Sequence, residues 1–173
     1  ALGGGLSNHM ALIKINPDGI VLWEQEYWGS GMDFPMEVIE TKGPDGVADG
    51  YMMAVTTSSY GAGELDGWLI KTDLNGQIVW SETYGDIYHD ECHSVKQTVD
   101  GGYIIAGDSS STDVPGAPNN GNLDFYIVKL DSIGDVSWQR MVGGDGYELA
   151  YCVDATPDGG CIVAGTSDIP DGT

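Results

Sequence analysis

His89-Asp90-Glu91-Cys92-His93 is the one stretch of this sequence that sets imidazole, carboxylate and thiol side by side, the ligand types of a transition-metal site. In an extended strand His93 and Glu91 share a face and Cys92 points the other way, so the five groups cannot converge on one ion. The two related stretches of the chain, 32–36 and 147–151, carry no such set. The expectation is therefore against a transition metal here.

Carboxylates at recurring positions are the second candidate. Asp33, Asp90 and Glu148 fall at one repeated position, just ahead of an apolar strand. Such oxygens suit Ca2+, which takes about six to eight oxygen ligands. The competing reading is that each acid caps the backbone of its own sheet, as a repeated residue would do in every unit. The polar loop carrying Asp108, Asp113 and Asp124 could wrap the same ion, although it lacks the Asp-x-Asp-x-Asp-Gly spacing of a calcium loop. Trp28, Tyr88 and Tyr147 on connecting loops, with His89 beside Tyr88, are candidate ligand-binding residues, because aromatic rings stack on sugars and peptide side chains. They could equally pack beside a neighbouring sheet. Lys14, Lys71 and Lys129 also repeat, half of the 6 Lys and Arg, and are expected to pair with repeated aspartates. No Gly-x-Ser-x-Gly, His-Glu-x-x-His or Gly-rich phosphate loop is present, so no catalytic residue is assigned.

What positions these residues is a pattern that occurs three times. Asn16-Pro17-Asp18-Gly19, Asp73-Leu74-Asn75-Gly76 and Asp131-Ser132-Ile133-Gly134 each lie between an apolar strand and a returning strand with Trp23, Trp80 or Trp138. Glycine supplies the positive φ of a tight turn, and the Asn or Asp side chain can bond its own backbone. Strands are expected at 10–15, 20–27, 36–41 and 51–57, then 68–72, 78–84, 92–98 and 103–107, then 125–130, 136–142, 149–156 and 161–165. The chain reads as one repeat region, 1–173, with units at about 9–66, 67–124 and 125–173. Twelve short strands with Gly and Asp turns predict an all-β protein of four-stranded antiparallel meanders. Sheets of this kind, packed face to face, are what β-propeller blades require, and the chain holds about three blades' worth.

The pattern Asp-x-x-Gly-x-x-x-Trp, then Tyr-Gly or Gly-Gly, an acid, and Asp-Gly-Gly-Tyr-Ile-Ile-Ala-Gly resembles the propeller-type repeats of large secreted bacterial and archaeal surface proteins. The Trp hairpin is more distantly similar to the tryptophan-docking repeat of quinoprotein propellers. In that phase the strands beginning near Met36, Cys92 and Leu149 are innermost and the Trp strands outermost. The resemblance implies an extracellular or cell-surface location and a non-catalytic role in adhesion, scaffolding or self-assembly. Its alternative is part of a secreted propeller enzyme, a quinoprotein dehydrogenase or a polysaccharide-acting one. The single arginine, Arg140, weakens that alternative, since a quinone site needs an amide or arginine clamp.

Composition sets the outer bounds. The 27 acids against 6 Lys and Arg leave a net charge of −21, which excludes polyanionic partners such as nucleic acid or an anionic membrane surface. No apolar run is long enough to insert in a membrane. Cationic or neutral ligands, a glycan or protein partner and calcium remain open. Three cysteines at no metal-ligand spacing read as free, buried thiols. The chain opens without Met, as a mature or excised segment does. Three units fall short of the roughly four to eight blades of a propeller. The expectation is that further blades of the same protein, or another copy of this chain, complete the ring.

Overall fold

The computed structural model describes residues 9–112, 114, 119 and 121–168. The fold is all-β, with twelve strands among the described residues: β1 (Met10–Ile15), β2 (Val21–Tyr27), β3 (Asp33–Lys42), β4 (Ala48–Thr57), β5 (Asp66–Thr72), β6 (Ile78–Tyr84), β7 (Ser94–Gln97), β8 (Tyr103–Ser109), β9 (Asp124–Leu130), β10 (Val136–Val142), β11 (Glu148–Ala155) and β12 (Cys161–Ser167). No helix among the described residues is long and apolar enough to cross a membrane.

Each expected hairpin turn forms, and for the expected reason. In all three, one side-chain oxygen accepts two backbone amides: Asn16 from Asp18 and Ile20, Asp73 from Asn75 and Gln77, Asp131 from Ile133 and Asp135. The glycine that follows adopts φ +79° at Gly19, +78° at Gly76 and +98° at Gly134, a region other residues enter only with strain. A second turn repeats at the other hairpins, where Thr98 and Thr156 donate to Asp100 and Asp158.

Sheet membership is offset from the sequence units. Two complete antiparallel sheets run β3-β4-β5-β6 and β7-β8-β9-β10, so each takes two strands from one unit and two from the next. The Trp strands β6 and β10 are edge strands. At the two ends of the chain lie two-stranded pieces, β1-β2 and β11-β12.

The sheets meet broadside. Met52, Ala54, Leu69 and Tyr84 of the first complete sheet interlock with Val95, Tyr103, Ile105, Tyr126 and Val128 of the second. The opposite face of the first sheet, with Met53, Val55, Trp68 and Ile70, is covered by Met10, Leu12 and Tyr27 of β1-β2. Ile104, Ala106 and Ile127 on the far face of the second are covered by Ala150, Val153 and Val163 of β11-β12. Strands β4, β5, β8 and β9 are therefore apolar on both faces. They read as nearly continuous buried runs and not as a period-2 alternation, the pattern of strands sandwiched on both sides.

The tryptophans stitch neighbouring sheets together at one edge. A Cβ on Gly76 would lie 3.1 Å from the Trp23 ring, and one on Gly134 3.1 Å from the Trp80 ring. Beside these contacts the Tyr27 hydroxyl donates to the Gly76 carbonyl at 2.6 Å and the Tyr84 hydroxyl to the Gly134 carbonyl at 2.8 Å. Thus the Trp23 and Trp80 hairpins each dock on the Asx turn of the following sheet.

Candidate functional site

The repeated acids occupy structurally equivalent, buried positions, each engaged by hydroxyl or amide donors close to it. Asp33 accepts from the Thr57 hydroxyl at 2.5 Å and the Ser59 hydroxyl at 2.9 Å. Asp90 accepts from the hydroxyls of Ser109 and Ser111 and from the Asp86 amide. Glu148 accepts from the Ser167 hydroxyl and the Gly144 amide. In each case the carboxylate at the start of one strand clamps the end of its antiparallel neighbour. Asp66 does similar work on the amide of Gly63, and burial raises its carboxyl above the ordinary range. Asp124 is buried at the equivalent place in the second sheet. Asp113 lies outside the described residues.

Lys71 and Lys129 form the expected pairs, with Asp49 at 3.1 Å and Asp100 at 3.0 Å. Both ammonium groups are buried and also donate to the carbonyl of the next residue, Thr72 or Leu130. Lys14 sits over the Tyr51 ring, 5.2 Å from its centre. Of the three cysteines only Cys92 is buried, and burial pushes its thiol up to about 12. Cys152 is exposed. A bulge near it sets Cys161 opposite Ala155, so the two thiols do not face each other.

The aromatic candidates remain apart. Trp28, Tyr88 and Tyr147 are exposed, and among the described residues no ring contact joins them. Trp28 lies against His9 and borders a cleft of about 540 Å³ that Tyr60, Trp68, Glu26 and Glu82 also line. The cleft opens between the edge strands β2 and β6.

Chemistry concentrates instead around His89. Residues 89–93 continue the backbone of β7 alongside β8, with the Glu91 amide donating to the Asp108 carbonyl and the His93 amide to the Ala106 carbonyl. Extended backbone places His89, Glu91 and His93 on one face. The two imidazoles converge on a single carboxylate: His89 Nε2 is 2.7 Å from Glu91 Oε1 and His93 Nε2 is 2.7 Å from Glu91 Oε2. On its other side His93 Nδ1 lies 2.7 Å from the Ala150 carbonyl and 3.4 Å from Asp108 Oδ1. Tyr151 stacks on the His93 ring.

Electrostatics at this cluster follow from burial and pairing. Its hydrogen bond to His93 holds Glu91 below the usual carboxylate range, and the same bond raises His93. Asp108 is buried, and among the described residues its Oδ1 accepts no hydrogen bond. Loss of solvent pushes its carboxyl up to about 6. Glu91, His93 and Asp108 bring ligand atoms within 4.8 Å of one another. Of these only Asp108 was a metal candidate on sequence. Glu91 and His93 lie in the stretch first considered, but the two groups that complete the cluster come from across the hairpin and from β11, which strand spacing alone does not bring in.

The sequence matches no protein-family model and no curated protein. Among solved structures it is similar to a protein of unknown function from Bacteroides caccae, with 12% identity and a TM-score of 0.44 over 87% of this chain. The chain spans 44% of that protein's length.

Proposed function

We propose that the chain is a non-catalytic β-propeller module, acting outside the cell or at its surface in adhesion, scaffolding or self-assembly. One observation carries the reading: residues at equivalent repeat positions are buried between the complete sheets and exposed at the two ends. Ile13 is 46% exposed, whereas its counterparts Ile70 and Val128 are fully buried. Ile162 is 65% exposed, against 0% and 1% for Met52 and Ile104. Val38, on the uncovered face of β3, is exposed while Val95 and Val153 are buried. Faces built as interior are thus open at both ends, and large apolar patches of this kind mark interaction surfaces.

The two ends are complementary. By repeat position β11-β12 correspond to the first two strands of a complete sheet and β1-β2 to the last two. Joined between two copies, they make one four-stranded sheet at each junction. Two copies then hold four complete and two composite sheets, within the range of propeller rings. The repeated Trp-to-turn docking supports the same reading, because Trp138, whose counterparts dock on the following sheet, remains exposed beside the open end. Sedimentation of the 18.3 kDa chain tests it. A species of twice that mass, weakened by Ile13→Asp or Ile162→Asp, is expected. A stable monomer whose melting is unaffected by either substitution overturns it.

A further inference from the structure

We propose that His89, Glu91 and His93 form a binding site for a divalent transition metal, Zn2+ by ligand type, with Asp108 and the Ala150 carbonyl orienting His93 from behind. The hydrogen-bond pattern around His93 carries this. A carbonyl oxygen only accepts, so at 2.7 Å the Nδ1 of His93 must donate its proton to Ala150. The Nε2 of a neutral ring is then a lone pair, and it faces a carboxylate oxygen of Glu91 at 2.7 Å. Two acceptors at that distance require a proton between them, the place a metal ion would take once the two atoms part. His89 Nε2 meets the other oxygen of the same carboxylate, so Glu91 holds one imidazole on each of its oxygens.

A second observation points the same way. Asp108 is buried with an oxygen that, among the described residues, accepts no hydrogen bond and lies 3.4 Å from His93 Nδ1. A carboxylate behind the far nitrogen of a ligating histidine is the usual outer support of a zinc site, where it fixes the ring and raises its basicity. Two nitrogens and an oxygen suit Zn2+ and disfavour Ca2+, which takes oxygen ligands. Tetrahedral zinc with bonds of about 2.0 to 2.1 Å separates its ligand atoms by roughly 3.3 Å. Each nitrogen and oxygen must therefore part by about half an ångström and the His89 ring must swing toward His93, movements of the partly exposed His89 and Glu91 side chains. Zinc would take the place of the His93 Nε2 proton. A fourth position would face solvent beside His89 and hold water.

Calorimetric titration of the full chain with Zn2+, and absorption of its Co2+ form, test the site. One ion per chain is expected, with no competition from Ca2+. His89→Gln, on the solvent side, is expected to weaken binding at least about tenfold with an unchanged far-ultraviolet spectrum, and Asp108→Asn about tenfold or more through His93. Absence of saturable binding overturns the proposal, as does unaltered affinity in a folded His89→Gln/His93→Gln chain. A thiolate-to-Co2+ charge-transfer band also overturns it, since it would assign the ion to a cysteine.

Discussion

Each repeated carboxylate is a small clamp, and the cost of removing it follows from what it holds. Asp90 is fully buried and accepts two hydroxyls and an amide. Asp90→Ala strands these donors, and hydrogen bonds to a charged group are worth about 1.5 to 3 kcal/mol. A loss of about 3 kcal/mol is expected in urea unfolding. An unshifted midpoint would mean the clamp holds nothing. Asp100 makes a different prediction, in pH. Its hydrogen bond from Thr98, then Lys129, lowers its carboxyl from 3.8 to about 2. A depressed acid contributes stability above its unfolded pKa that is lost as pH falls through the folded value, so the window is about 4 down to 2. Because the Asp100 side chain is 62% exposed, screening reduces the effect to about 1 kcal/mol. Acid titration of Asp100→Asn, followed by circular dichroism, is expected to lose that part of the wild-type slope. Residue types were legible in the sequence wherever the partner is local. The clamping role of Asp33, Asp90 and Glu148 and the lysine pairs of Lys71 and Lys129 follow from repetition plus hairpin pairing. The surroundings of His93 did not, because Ala150 approaches it from a different sheet and Asp108 from the opposite strand.

At the scale of elements, the turns were the most legible feature, since an Asx side chain and a glycine determine them within a few residues. Which strands share a sheet was less so. The sequence units begin at β1, whereas the sheets begin at β3, and the clue was the edge position of the Trp strands. That docking makes three chemically identical glycines unequal. A Cβ at Gly19 would meet nothing within 4 Å, so Gly19→Ala carries only the left-handed strain, about 1 to 2 kcal/mol. At Gly76 the same Cβ would lie 2.7 Å from Gln25 Cγ and against Trp23, and at Gly134 against Trp80. Thermal melts of the three alanine variants are expected to rank Gly19 mildest and Gly76 most severe. Equal losses would show that the Trp hairpins do not bear on the turns. Tyr84→Phe, which removes only the hydroxyl bonded to Gly134, is expected to lose about 1 kcal/mol.

For the whole molecule the question is how apolar end faces and a charge of −21 coexist. In the proposed assembly, burial of Ile13, Val38 and Ile162 would drive copies together, while like charge on each copy would oppose their approach. Apolar burial is little affected by moderate salt, but the repulsion is screened: the Debye length falls from about 10 Å at 0.1 M to about 3 Å at 1 M. Association is therefore expected to strengthen with salt, with a larger dimer fraction in sedimentation at about 1 M NaCl than at about 0.05 M. The repeat provides an internal control. Ile70→Ala, in the interior, is expected to lose about 2 to 5 kcal/mol of fold stability at any salt concentration. Ile13→Ala, at the same repeat position on an open face, is expected to leave the fold of the single chain within about 1 kcal/mol and to lower the dimer fraction at high salt. Dissociation by salt would instead mean that ion pairs, and not the uncovered sheet faces, hold the copies together.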